Sequence, residues 1–277
     1  MYGLEGKVAI VTGSGRHGGL GKAMALRLGQ EGCRVVLADL GQVEGELFPA
    51  HGVGTTAELE EVAAEVRATG AEAITVACDV RSEGQVQNLV AQAVEAFGGV
   101  DVLVNNAGIG YLMQLVTEMD EEKWDAVLDV NLKGMFLCTK HAARRMIEQG
   151  RGGRIVNIAS QAAKSGFPYA SAYVASKHGV QGFTRSVAIE LGQHGITVNA
   201  ICPNHVTTGL GAWQNEFFSN ALGLTEDEYL AAMRSRIPLG RPGLPEDIAK
   251  ACAWLCSEQA QYVTGEAMNV SGGEEMH

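Results

Sequence analysis

The chain is short of basic residues: 21 Lys and Arg stand against 32 Asp and Glu among 277 residues, a net charge of −11. So acidic a surface repels phosphate backbones and anionic lipid, which argues against nucleic acid and membrane surfaces as partners. Long apolar runs are missing as well. None nears the roughly 18 residues a membrane helix requires, and the apolar stretch 8–11 is too short for a signal peptide and leads straight into glycines. A cytoplasmic location is the expectation. Metal-ligand spacing is absent too. The seven histidines form no His-Glu-x-x-His, and no His or Cys completes a set around Cys252 and Cys256. The six cysteines read as small buried hydrophobes in a reduced compartment. No Gly-x-Ser-x-Gly elbow supports a hydrolase, and no linker, repeat or low-complexity tract divides the chain. One domain is expected over residues 1–277.

What is present is an alternation. Short β-branched runs at 7–11, 34–38, 73–77, 100–104, 154–158, 197–201 and 267–270 read as buried strands. Between them, apolar residues recur at helical spacing over 20–31, 57–69, 85–97, 124–149, 173–193 and 245–257. Strand, helix, strand repeated in this way needs crossover connections, which build a parallel sheet with helices on both faces. Two stretches break the rhythm. Residues 40–56, with five glycines and prolines, read as a long loop, and 207–242 reads as a lid, because such long insertions are usually functional.

The first strand runs into Thr12-Gly13-Ser14-Gly15-Arg16-His17-Gly18-Gly19-Leu20-Gly21, where a helix begins. Glycines let the backbone approach a pyrophosphate, and the helix N-terminus offers free N–H groups and a positive dipole end. The second strand ends at Asp39, 18 residues past Gly21, where a carboxylate accepts hydrogen bonds from ribose hydroxyls and repels a 2′-phosphate. NAD is therefore favoured over NADP, although Arg16 in the loop argues the other way. An ordinary glycine-rich turn and a solvated strand end are the plain alternatives.

In Tyr173-Val174-Ala175-Ser176-Lys177 a phenol and an ammonium lie four residues apart on one helical face. The ammonium favours phenolate, so the pair is expected to lower the tyrosine pKa and let it exchange a proton with an alcohol or carbonyl. Ser160 lies thirteen residues earlier at the end of a strand, where open α/β sheets bind ligands. A surface ion pair and a turn cap are the competing explanations.

Taken in order, these motifs resemble the short-chain dehydrogenases/reductases in their single-domain branch. The glycine loop is followed by Asp79-Val80, Asn105-Asn106-Ala107-Gly108, Asn131 within Val130-Asn131-Leu132-Lys133-Gly134, Ser160 and the Tyr173/Lys177 pair, then Pro203 to Thr208. The similarity spans nearly the whole chain. It implies a Rossmann-like, doubly wound, seven-stranded parallel sheet in the order 3-2-1-4-5-6-7. It also implies hydride transfer between NAD and a carbinol or carbonyl carbon, with Tyr173 as acid/base, Lys177 on the nicotinamide ribose, Ser160 orienting the substrate oxygen and Asn131 holding a relay water. Asp79 and Val80 are implied at the adenine, Asn106 and Gly108 in the cleft, and Val206 and Thr208 at the carboxamide. Gly13, Ser14, Arg16, Gly19 and Leu20 are implied around the pyrophosphate. Three features depart from the family pattern. Five residues rather than three separate Gly13 from Gly19, Asn204 replaces the usual glycine after Pro203, and the 40–56 loop is long. That loop is expected to fold over the adenosine and slow cofactor release, and Asn204 reads equally as a pocket amide or a left-handed turn residue.

Substrate walls are expected from Tyr111, Ala162, Phe167, Asn204, Trp213 and Phe217. They are mostly apolar, suiting a small hydrophobic or cyclic secondary alcohol or ketone; the lid aromatics read equally as an ordinary helix face. A 3-oxoacyl-type ketoreductase and a non-catalytic NAD-binding sensor or scaffold are the rival functions. The resemblance and the apolar faces of 124–149 and 173–193 point to a homotetramer.

Overall fold

The computed structural model describes residues 2–42, 54–110 and 114–276, and leaves aside the side chains of Leu210 and Trp213. The expectations for Tyr111, for the Trp213 side chain and for most of the 40–56 loop fall outside that description.

Seven parallel strands form one sheet in the order β3-β2-β1-β4-β5-β6-β7, as the sequence predicts. They are β1 (Val8–Thr12), β2 (Arg34–Asp39), β3 (Ala73–Ala77), β4 (Val102–Asn105), β5 (Gly153–Ile158), β6 (Ile196–Pro203) and β7 (Ala267–Val270). Successive side chains on a strand point to opposite faces, and both faces here are covered. Val8 and Ile10 join one core with Leu103 and Ile155, whereas Ala9 and Val11 join the other with Val104 and Val156.

The helices supply matching stripes. Against the second core lie α1 (Leu20–Gln30), which buries Gly21, Met24, Ala25, Leu28 and Gly29, and α2 (Thr56–Ala68), whose Thr55–Glu58 capping box secures its N-terminus. The spacing of three and four residues is that of one helical face. Against the first core lie α3 (Glu83–Phe97), α5 (Met135–Gln149) and α6 (Ser171–Gly192). Helix α9 (Pro245–Cys256) completes the second layer, with Cys252 and Cys256 buried in it. All six cysteines are buried and free.

Two expectations are corrected. The helix read over 124–149 is instead α4 (Glu121–Leu128), one π-turn at Asp129–Gly134, and then α5. The wider turn carries the fully buried Asn131, whose amide the backbone of Ile109 engages, and Gly134 fits because any Cβ there would meet Val80 Cγ2 at 2.6 Å. Such insertions in a helix commonly mark functional positions. The 207–242 stretch is not a loop but two helices, α7 (Gly209–Leu222) and α8 (Glu226–Arg236). Thr208 caps the first through the Gly211 N–H at 3.1 Å, and a Thr225–Glu228 capping box starts the second.

Among the described residues, no helix is long and apolar enough to cross a membrane, and no group of His, Cys, Asp and Glu is arranged to hold a metal.

Candidate active site

A cleft of roughly 410 Å³ runs along the carboxyl ends of the strands, the place where open α/β sheets bind ligands. Its two ends are built by different means.

At the β1 end, main chain dominates. A Cβ on Gly13 would come within 2.7 Å of Ala107 Cα, and one on Gly21 within 2.2 Å of Gly13 O, so neither position accepts a side chain without rearrangement. Gly13 also adopts φ 65°, where glycine alone is unstrained. The β1 turn is stitched to the β4 turn: Thr12 Oγ1 accepts from the Asn106 and Ala107 N–H groups at 3.1 Å, and Asn106 Nδ2 donates to Gly13 O at 2.8 Å. Gly19, Leu20 and Gly108 line the opening with Gly13. In the lengthened loop Arg16 and Gly18 line the cleft, whereas His17 reaches Glu61 of α2 at 2.6 Å. Ser14 is turned inward; its hydroxyl donates to Val11 O at 3.0 Å and is fully buried.

Asp39 closes this end. Its carboxylate accepts from the Gly15 N–H at 2.7 Å and the Leu40 N–H at 2.8 Å. Burial raises its pKa, and those backbone donors, the Gly54 amide and the Arg16 charge only partly oppose the rise. Arg16 Nη1 is buried without a hydrogen-bond partner among the described residues. A buried unpaired guanidinium donor beside a glycine cradle fits an anionic ligand group, and the opening as a whole fits a dinucleotide. Asp79 is held bidentately by Arg81, at 2.9 and 2.7 Å; burial works to raise its pKa, but these bonds and the Arg81 charge leave it lowered. Asp79 and Val80 line the same end.

At the β5 end, side chains do the work. Ser160 follows β5, and its hydroxyl both accepts from the Ala162 N–H at 3.1 Å and pairs with the Tyr173 phenol. The turn-cap reading of Ser160 is borne out, and the same hydroxyl stands against the Tyr173 phenol. Lys177 Nζ donates to Ile158 O at 2.8 Å and lies 5.5 Å from the centre of the Tyr173 ring. Asn131 lies beneath Gly108; its Oδ1 accepts from the Ile109 N–H at 2.9 Å, and its Nδ2 donates to Ile109 O and to Ser176 Oγ, both at 3.1 Å.

The expected lowering of the tyrosine pKa is corrected. Burial pushes the Tyr173 phenol up to about 12, against the opposing Ser160 hydrogen bond, and pulls the Lys177 ammonium down to about 8. Desolvation disfavours both charged forms, and the spacing of the two residues in sequence carries no information about it.

Helix α6, which carries both groups, is locked to the sheet by a buried chain that sequence reasoning missed. Asn105 Nδ2 donates to Thr139 Oγ1 at 3.0 Å and to Asn157 Oδ1 at 2.9 Å, and Asn157 Nδ2 donates to Thr184 Oγ1 at 2.9 Å. In the sequence Asn105, the last residue of β4, stands out only as the start of the Asn105-Asn106-Ala107-Gly108 motif, and Asn157, inside β5, only as a polar residue in an apolar run.

The expected substrate walls divide. Asn204 lines the cleft with Val206 and Thr208. It is not a left-handed turn residue, because Tyr169, at φ 66°, is the sole non-glycine with positive φ among the described residues. Ala162 is fully buried in the core and reaches no solvent, and Phe167 packs against the same core. Phe217 stands off the cleft, with its ring edge-on to Tyr169 at 5.7 Å and to Phe218 at 5.4 Å. An aromatic held at positive φ is strained and needs surrounding support. Tyr169 therefore couples the Ser160–Tyr173 segment to the α7 helix.

Comparisons with known proteins agree with this geometry. A family model described as "Enoyl-(Acyl carrier protein) reductase" matches residues 13–275. A "Short-chain dehydrogenase/reductase" of Armillaria gallica is 39% identical over 97% of this chain and 96% of its own length. A "3-oxoacyl-[acyl-carrier-protein] reductase" of Staphylococcus aureus is 37% identical over 96% of this chain and 97% of its own. Among solved structures, the carveol dehydrogenase of Mycobacterium avium in complex with NAD superposes with a TM-score of 0.91 at 31% identity, covering 99% of both chains.

Proposed function

The chain belongs to the short-chain dehydrogenase/reductase family, and from that premise we propose that it is an NAD-dependent oxidoreductase interconverting a secondary alcohol and a ketone. The observation that carries this reading is the buried Tyr173 phenol, paired with Ser160 and flanked by Lys177 at the cleft's β5 end. NAD supplies an electron-pair acceptor at its nicotinamide carbon. In oxidation Ser160 and Tyr173 grip the substrate oxygen, and Tyr173 removes its proton as the carbinol gives up its hydride. In reduction the same phenol returns the proton. Lys177, with donors left beyond Ile158 O, binds the nicotinamide ribose. Asn131 Oδ1 has a lone pair beyond its Ile109 bond for a relay water.

Support for NAD over NADP comes from the Asp39 carboxylate at the end of β2 and from the NAD named for the carveol dehydrogenase structure. The 3-oxoacyl-type ketoreductase is favoured by the names of several relatives, the 3-oxoacyl-[acyl-carrier-protein] reductases of Staphylococcus aureus strains and a "Putative ketoacyl reductase" of Streptomyces coelicolor, but a surface of net charge −11 opposes docking of an acidic carrier. A sensor or scaffold needs none of Asn131, Ser160, Tyr173 and Lys177. The test is turnover of a panel of secondary alcohols with NAD and NADP, followed by absorbance at 340 nm. NAD-linked oxidation is expected; activity confined to NADPH and acyl-carrier substrates, or none at all, contradicts the reading.

The homotetramer belongs to the same proposal. An apolar depression between α4–α5 and α6, lined by Leu132, Phe136 and Phe183, leaves Phe136 44% exposed, and Ile189 is 84% exposed. A sedimentation mass near the chain's 29.2 kDa contradicts it.

A further inference from the structure

Beyond β7 the chain reverses at Gly272 and Gly273, at φ 66° and 95°. A Cβ on the first would come 2.7 Å from Ile237 Cγ2 and on the second 2.9 Å from Pro238 Cγ, so the turn presses against the end of α8 in a way only glycine permits. The Leu239 N–H donates to Gly272 O at 3.1 Å, and Ser271 Oγ donates to Glu275 O at 3.1 Å, fixing the segment that follows.

Two consecutive glutamates then reach in opposite directions. Glu275 accepts from Gln161 Nε2 at 2.8 Å and from Ser165 Oγ at 3.2 Å, on the segment just after Ser160. Glu274, with its side chain 14% exposed, pairs with Arg236 of α8 at 3.2 Å and accepts a hydrogen bond from Asn204 Nδ2. The last residues thus tie together the Ser160 segment, the turn after β6 and the α8 helix.

The Asn204 contact has a chemical consequence. A carboxylate only accepts hydrogen bonds, so the amide must turn its nitrogen toward Glu274 and its carbonyl oxygen away. Asn204 lines the cleft beside Ile158, Ala159 and Val206, and its Oδ1 has no partner among the described residues. A committed acceptor in a cleft wall discriminates between substrates, because a buried polar group left unmatched costs binding energy.

We propose that Glu274 is a positioning residue that presents Asn204 Oδ1 to the substrate, so that the enzyme prefers secondary alcohols carrying a second hydroxyl beside the reacting carbinol. This rests on the oxidoreductase reading given above. Glu274 touches Asn204 rather than substrate.

The experiment compares kcat/KM for trans-1,2-cyclohexanediol and cyclohexanol in the wild-type protein and in Glu274→Gln, with NAD affinity by fluorescence titration and Tm measured alongside. The wild-type protein is expected to favour the diol by about tenfold, the worth of one hydrogen bond to a neutral acceptor. Glu274→Gln, whose amide accepts or donates and so leaves Asn204 free to turn, is expected to bring the ratio near one without changing the Kd for NAD. If Glu274→Gln is too unstable to assay, Asn204→Ala is expected to remove the same preference. An equal ratio in the wild-type protein, or a diol preference that survives either substitution, overturns the inference while leaving alcohol oxidation standing. Weakened NAD binding with an unchanged ratio also overturns it, because the amide then serves the cofactor's carboxamide. No turnover with any alcohol overturns both readings.

Discussion

The β1 end of the cleft is shaped by what is missing from it, namely side chains at Gly13 and Gly21 and, among the described residues, a partner for Arg16 Nη1. The β5 end is shaped by side chains crowded together: Ser160 on Tyr173, Lys177 on Ile158 O, Asn131 on Ile109 and Ser176. The first end presents backbone groups and a carboxylate fixed by the Gly15 and Leu40 N–H groups, a setting suited to holding a ligand rather than to moving protons. The second holds two groups whose charged forms burial disfavours, with Tyr173 pushed up to about 12 and Lys177 pulled down to about 8. On the proposed function, binding and proton transfer are divided between the two ends of one cleft, and perturbations at one end should leave the other's observable largely unmoved.

The sharpest separation is expected in the pH dependence. Oxidation needs the phenolate, and below a pKa of about 12 the phenolate fraction grows tenfold per pH unit. The kcat/KM for alcohol is therefore expected to rise about 10³-fold from pH 6 to pH 9. The phenol that reduction needs is the main form throughout, so ketone reduction should show no comparable rise. An oxidation profile that is flat in this range breaks the division.

Next in size is Asn157→Ala. It leaves Asn105 and Thr184 short of a buried partner and should cost about 1–3 kcal/mol of unfolding free energy, measured by urea denaturation. Turnover should fall with it, because α6 carries Tyr173 and Lys177. At the other end, Asp39→Asn should raise the NADP-to-NAD ratio of kcat/KM by about tenfold, through loss of a charge-assisted ribose contact and of phosphate repulsion. The pH profile should keep its slope. The smallest effect is expected for Phe217→Ala. Removing its support of the positive-φ Tyr169 should raise KM for alcohol a few-fold, by about 0.5–1.5 kcal/mol of aromatic contact, without moving the Kd for NAD.

Legibility in the sequence followed the same division. The glycine loop, Asp39 and the Tyr173/Lys177 spacing were readable because a tight turn, a strand end and one helical face each fix them within a few residues of chain. The strand order followed from the family's motifs. The links Asn204–Glu274, Asn105–Asn157 and Asn157–Thr184 span 70, 52 and 27 residues, and no local pattern marks such pairs. The π-turn at Asp129–Gly134 hid inside a helical periodicity that a single wider turn barely disturbs. The 207–242 stretch breaks the strand–helix rhythm, and its aromatics read equally as lid or helix face; the α7 and α8 helices favour the second, with Phe218 against Phe217 and Tyr229. The direction of the Tyr173 pKa was missed for a related reason, since spacing along a helix says which groups are neighbours but not how dry their surroundings are.

The most direct test of the account is Tyr173→Phe, assayed for NADH formation at 340 nm with the best alcohol substrate and for NAD binding in the same preparation. Turnover is expected to fall by about 10² or more, with the Kd for NAD within a factor of two of the wild-type value. Turnover that survives the loss of the phenol would contradict the account.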